Sequence, residues 1–91
     1  MSAKLLMENA NEAMYLAGQY YLTFMYRKAI DCYNLAIHFL NKALDNKADL
    51  QDVETLIKFC TQHIETIQQK IKENENIFLK KIVLIHSDIN I

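Results

Sequence analysis

The stretch FMYRKAIDCYNLAIHFLNKAL, Phe24–Leu44, decides the fold because it carries more apolar surface than one helix face can hold. At about 100° per residue, Tyr26, Ala29, Ile30, Tyr33, Ile37, Leu40 and Leu44 make one stripe, the pattern of a helix buried along one side. Cys32, Leu35, Phe39 and Ala43 fall to one side of that stripe, beyond Ala36. A helix resting on a single neighbour needs only the first stripe. The second flank must therefore serve as one wall of a peptide groove or as a seat for the chain's own C-terminal tail.

Upstream, Leu6, Ala10, Ala13, Ala17, Tyr20/Tyr21 and Phe24 recur at three- and four-residue steps, which predicts a first helix over residues 3 to 22. Its alanines read as a seam against another helix. The boundary before the second helix is weakly marked. Thr23 alone offers a capping oxygen, and neither glycine nor proline follows it, so one continuous helix stays open as an alternative.

Downstream, DNKAD at 45 to 49 reads as a short loop, with Asp49 capping a third helix and Asp52 suiting the positive end of its dipole. The core stripe there is Val53, Leu56/Ile57, Cys60, Ile64, Ile67 and Ile71, and the same construction sets Phe59, His63, Thr66 and Lys70 beside it. If the flanks of helices 2 and 3 face each other, they bound a groove suited to an amphipathic peptide helix, with Lys70, Lys42 and Lys58 at the rim. The expected fold is all-α: an antiparallel three-helix bundle over residues 1–73, with the third helix extended into a C-terminal helical tail, 74–91. In that tail Ile64, Ile71, Phe78 and Ile85 lie seven residues apart, with Ile67 and Ile82 nearby and Asn74 in the seam, as in a short coiled coil that would pair two copies. The competing reading takes IVLI, 82 to 85, as a β-prone segment.

Composition narrows the function classes. A chain of 91 residues with no proline and a single glycine fits one helical domain with one modest core. A net charge of −1 with only Lys80-Lys81 as a basic run argues against nucleic-acid binding. Two cysteines are too few for a disulfide framework and suit the cytoplasm. No stretch approaches the roughly 18 apolar residues of a membrane span, so direct membrane insertion is not expected. Cys60 and His63 are spaced to present two ligands from one helix, but a metal needs two more, and no metal or cofactor is expected. The same pair is the only obvious nucleophile and base. Nothing beside it reads as an oxyanion hole, a phosphate-cradling glycine loop or a carboxylate pair, so the chain reads as no enzyme.

The pattern YRKAIDCYNLAIHFLNKAL, preceded by Ala13 and Ala17 and followed by a third helix, resembles the microtubule-interacting and trafficking (MIT) domain over about residues 5 to 73. The matching positions are Ala17, Tyr26, Ala29, Tyr33, Ala36/Ile37 and Leu40, with Ile64 and Ile67 at core positions of the third helix. The sequence departs from the family at Tyr21 and Phe24, where an acidic residue and a glycine are usual, and at His63, near the place of a common basic residue. The resemblance implies a non-catalytic adaptor that docks short amphipathic or acidic motifs, such as the tails of ESCRT-III subunits, at endosomal or autophagic membranes. It gives Cys32, Leu35, Phe39, Phe59, His63, Thr66 and Lys70 the role of peptide contacts. The segment KAIDCYNLA is also similar to the branch of the family that serves as a regulatory subunit of an autophagy lipid kinase. A tetratricopeptide-like or self-associating helical scaffold is the other reading, carried by Leu16, Tyr20, Ala29, Tyr33 and Ala36; a lone repeat of that kind buries its face poorly.

Overall fold

The computed structural model describes residues 2–89, with side chains through residue 77. Three helices follow one another: α1 Ala3–Leu22, α2 Tyr26–Asp45 and α3 Leu50–Ile89. Ser2 starts α1 by accepting the Leu5 N–H on its hydroxyl at 3.2 Å, and Asp49 starts α3 by accepting the Asp52 N–H at 3.0 Å. The start of α2 has no such side chain; its first-turn cap position is Met25. Thr23 instead closes α1, its hydroxyl donating to the carbonyls of Gln19 and Tyr20.

Both turns are built alike. After α1, the Phe24 N–H bonds the Tyr21 carbonyl and the Met25 N–H the Tyr20 carbonyl; after α2, Lys47 bonds Leu44 and Ala48 bonds Ala43. Each is a Schellman stop, whose turning residue must be left-handed and is usually glycine. Here that residue is Phe24 at φ 63° and Lys47 at φ 71°, so each turn carries strain of roughly 1–2 kcal/mol that a glycine would not. Lys47 is exposed, and Lys47→Gly should therefore raise stability by about 0.5–1 kcal/mol after the extra chain entropy of glycine is subtracted. The check is a thermal melt shifting upward by a few degrees.

The fold is an all-α three-helix bundle in which α2 packs on both α1 and α3. Its core is Leu6, Ala10, Ala13 and Ala17 from α1, Ala29, Tyr33, Ala36, Leu40 and Ala43 from α2, and Val53, Cys60 and Ile67 from α3. Phe24, expected at the end of the α1 stripe, is instead 78% exposed, because the chain turns left-handed there and leaves the helix surface.

The two apolar flanks of α2 belong to its two neighbours. Ile30 shares a groove with Ile71 and Gln68, which sets the Tyr26, Ile30, Ile37 and Leu44 side against α3. Lys28, Cys32, Leu35 and Phe39 lie at i, i+4, i+7 and i+11 on the other side, and the Lys28 ammonium sits 5.8 Å from the centre of the Tyr20 ring of α1. Cys32 and Phe39 are accordingly half-buried against the core. Ala36, between the flanks, is fully buried.

Successive helices run antiparallel, so α1 and α3 run parallel: Met7 lies by Leu56, and Tyr21 by His63 and Ile67. At 40 residues α3 is about 60 Å long, twice either partner. It runs unbroken through 74–89, so IVLI is helical, and it projects from the end that carries the α1–α2 turn, giving an envelope of 67 × 19 × 15 Å. The seam side chains of Phe78, Ile82 and Ile85 lie outside the described residues. No helix among the described residues is long and apolar enough to cross a membrane.

Candidate docking groove

Because α2 fills the middle, open grooves run along both sides of α3. The larger, about 740 Å³, lies between α2 and α3 and is walled by Arg27, Asp31, Glu65, Gln68, Gln69 and Lys72 over Ile30 and Ile71. None of the seven residues expected to bind peptide lines it. The reason is handedness. On α3 the wall of this groove is the side bearing Glu65, Gln68 and Lys72, whereas Phe59, His63, Thr66 and Lys70 sit across the core stripe, towards α1. Cys32, Leu35 and Phe39 turn towards α1 as well, by way of α2. The expected groove between helices 2 and 3 therefore does not bring the two flanks together.

The second groove runs between the parallel helices α1 and α3. Tyr21, His63, Thr66 and Ile67 line a pocket of about 170 Å³ at one end, and Met7, Asp52, Thr55 and Leu56 line another of about 360 Å³ further along. On α1, Met7, Met14, Gly18 and Tyr21 recur at helical spacing and form this wall. The opposing wall is the α3 flank, and its centre is an aromatic stack. The His63 and Phe59 rings lie 4.1 Å apart, and Tyr33, buried beneath, has its ring centre 5.3 Å from that of His63 and 6.4 Å from that of Phe59.

The orientation of His63 is fixed by its own helix. Its Nδ1 lies 2.9 Å from the Phe59 carbonyl, and a carbonyl only accepts, so Nδ1 carries the proton and Nε2 is left for another partner. Thr66 spends its hydroxyl on the Gln62 carbonyl and so offers mainly its methyl. Phe59 remains 42% exposed and Leu35 47% exposed.

Cys60 and His63 sit in different surroundings. Cys60 is in the core with no exposure, whereas His63 is exposed and held to Phe59. Burial pushes the Cys60 thiol up to about 11, and burial followed by the Asp31 carboxylate raises Cys32. The thiolate is the reactive form, so both resist alkylation near neutral pH, Cys60 the more. Stability follows from the same shift. Between the ordinary thiol value of 9.0 and about 11 the unfolded chain loses the Cys60 proton while the folded chain keeps it, so stability is full below pH 9 and falls through that window. Denaturant midpoints measured from pH 8 to 11 should decline above 9, and Cys60→Ala should flatten that part of the curve.

No protein-family model, no curated protein and no solved structure matches this chain.

Of the residues that border this groove, the spacing of α3 singles out His63 and Thr66, and the α1 side was not singled out. Its signal was present in the spacing of Met7, Met14, Gly18 and Tyr21, one side of the alanine stripe.

Proposed function

We propose that this chain is a non-catalytic adaptor module of MIT type, cytoplasmic and recruited to endosomal or autophagic membranes, that docks a short amphipathic helix. The occupant is an acidic tail of the ESCRT-III kind, and its seat is the groove between α1 and α3. The observation that supports this reading is the exposed Phe59–His63 stack facing an α1 wall of methionines and a glycine. Flexible methionines adapt to a ligand's side chains, and apolar anchors from an amphipathic helix fit such a wall at successive turns. Lys70 lies on the same side of α3 as His63 and brings a positive charge to that end of the rim, which suits an acidic partner, with Asp52 at the other end. The groove between α2 and α3 is the weaker seat, because charged and amide side chains make up most of its walls.

Gly18 provides a test that separates fold from function. A methyl group added there meets nothing within 4 Å, so the glycine is not required by helix packing. Gly18→Ala should stabilise the bundle by about 0.5–1 kcal/mol through helix propensity and still weaken peptide binding several-fold by raising the groove floor. Thermal melts measure the first effect and anisotropy of a labelled ESCRT-III tail peptide the second.

The groove itself is tested by two variants in the same titration. Phe59→Asp should abolish binding, and Gln69→Trp, which fills the groove between α2 and α3, should leave it within twofold. The reverse pattern would place the peptide in the other groove. Loss of neither would remove the adaptor reading.

A further inference from the structure

Helix α1 buries alanines and displays leucines. Ala10, Ala13 and Ala17 are sealed in the core, whereas Leu5 and Leu16 are exposed. Single exposed leucines need no explanation, but these two belong to a patch. At about 100° per residue they fall on the side of α1 that carries Tyr20, and the Tyr20 ring lies by the Lys28 ammonium of α2. That side of α1 therefore continues into the Cys32, Leu35 and Phe39 flank of α2, where Leu35 is also exposed. The joint face looks away from α3, whose wall on α1 is the opposite side, at Met7 and Tyr21.

We infer that the outer face of the α1–α2 pair binds a second copy of this chain, with a two-fold axis running along the helices so that α1 of each copy lies antiparallel on α2 of the other. Charge identifies the occupant. The outer row of α1 is Lys4, Glu8 and Glu12, and that of α2 is Asp45, Lys42 and His38, all exposed. None of the six takes part in an ion pair within the chain; among the described residues the one such pair is Arg27 with Glu75.

The register follows from the fold. The Tyr20–Lys28 contact sets the height of α2 against α1, and counting back from it Lys4 is level with Leu44, Glu8 with Leu40 and Glu12 with Ala36. A two-fold axis parallel to the helices keeps those heights. Lys4 then meets Asp45 of the other copy, Glu8 meets Lys42 and Glu12 meets His38, while Leu16 comes to Leu35 and Leu5 to Phe39. The alternative two-fold stack, α1 on α1, would set the Glu8 and Glu12 turns of the two copies against each other. One patch meets itself, as a closed contact requires. Two 20-residue helices side by side present a face about 30 Å long and about 20 Å wide, roughly 1,200 Å² over both copies, the lower end of the range for a specific interface. Both α1–α3 grooves stay open in such a dimer.

Sedimentation equilibrium of the full chain reads the pairing, and charge reversal reads its register. The full chain should be a dimer that dissociates on dilution. Leu16→Glu places a good helix former at an exposed site, so it should keep the helical circular dichroism and weaken dimerisation at least tenfold. Glu8→Lys and Lys42→Glu should each weaken it several-fold at low salt, because each homodimer then sets like charges together twice. An equimolar mixture of those two variants restores both pairs and should associate as tightly as the unaltered chain. A monomer at millimolar concentration would overturn the proposal, as would a dimer that Leu16→Glu leaves intact, the sign of pairing through another part of the chain. Tighter association of Glu8→Lys with itself, the result expected of α1 on α1, would overturn it too.

Discussion

Leu40→Ala should cost the protein about 3–4 kcal/mol. Leu40 has no exposure and lies on α2, the helix that contacts both others, so the space it vacates is bounded by packed side chains from the whole core. Leucine-to-alanine changes at such sites lose the transfer energy of the removed groups and leave a cavity that closes only in part. A small domain has roughly 5–15 kcal/mol of stability in all, and one of this size sits towards the lower end. The melting temperature should fall by about 15–25 °C, on the usual conversion for a domain under 100 residues. Leu35→Ala is the internal control. It removes the same atoms from a half-exposed position five residues away and should cost less than about 1 kcal/mol. Equal losses at the two sites would mean that α2 is not the central helix.

The second large effect has the opposite sign of volume. Ala36 is fully buried between the two flanks of α2, and alanines at 10, 13, 17, 29 and 43 are buried with it, so the helices approach through side chains too small to hold them apart. Ala36→Leu inserts bulk where no cavity receives it and should destabilise by about 1–3 kcal/mol. Urea denaturation checks this, and Ala36→Gly helps to read the result. Glycine keeps the approach open and should lose only the helix-propensity difference of about 1 kcal/mol. A leucine at 36 that leaves the midpoint unchanged would show that the seam is loose.

These two variants rest on the part of the fold that periodicity makes legible. Leu6, Ala10, Ala13 and Ala17, then Ala29, Tyr33 and Leu40, then Val53, Cys60 and Ile67, are all buried where three- and four-residue spacing puts them. The turns were harder to read, since the residues that end α1 and α2 in left-handed conformations are Phe24 and Lys47, and neither carries the glycine signal. Which flanks face each other is not legible in the sequence for a more general reason. A helical wheel fixes the angle of Cys32 or His63 on its own helix, but not on which side each neighbouring helix stands. That depends on the handedness of the bundle, which spacing along one chain does not encode. The flank of α2 and the flank of α3 therefore lie apart: Cys32, Leu35 and Phe39 face the α1 side, and Phe59, His63, Thr66 and Lys70 the groove between α1 and α3.

The reading of function stands or falls with the groove that a peptide chooses. Titration of the isotopically labelled chain with an unlabelled ESCRT-III tail peptide, followed by amide and methyl chemical shifts, locates it residue by residue. Saturable shifts should appear along one line, at the methyl groups of Met7 and Met14 and the amides of Gly18, Tyr21, Phe59, His63 and Thr66. Shifts gathered instead at Ile30, Asp31, Gln68 and Lys72, or none at millimolar peptide, would contradict it.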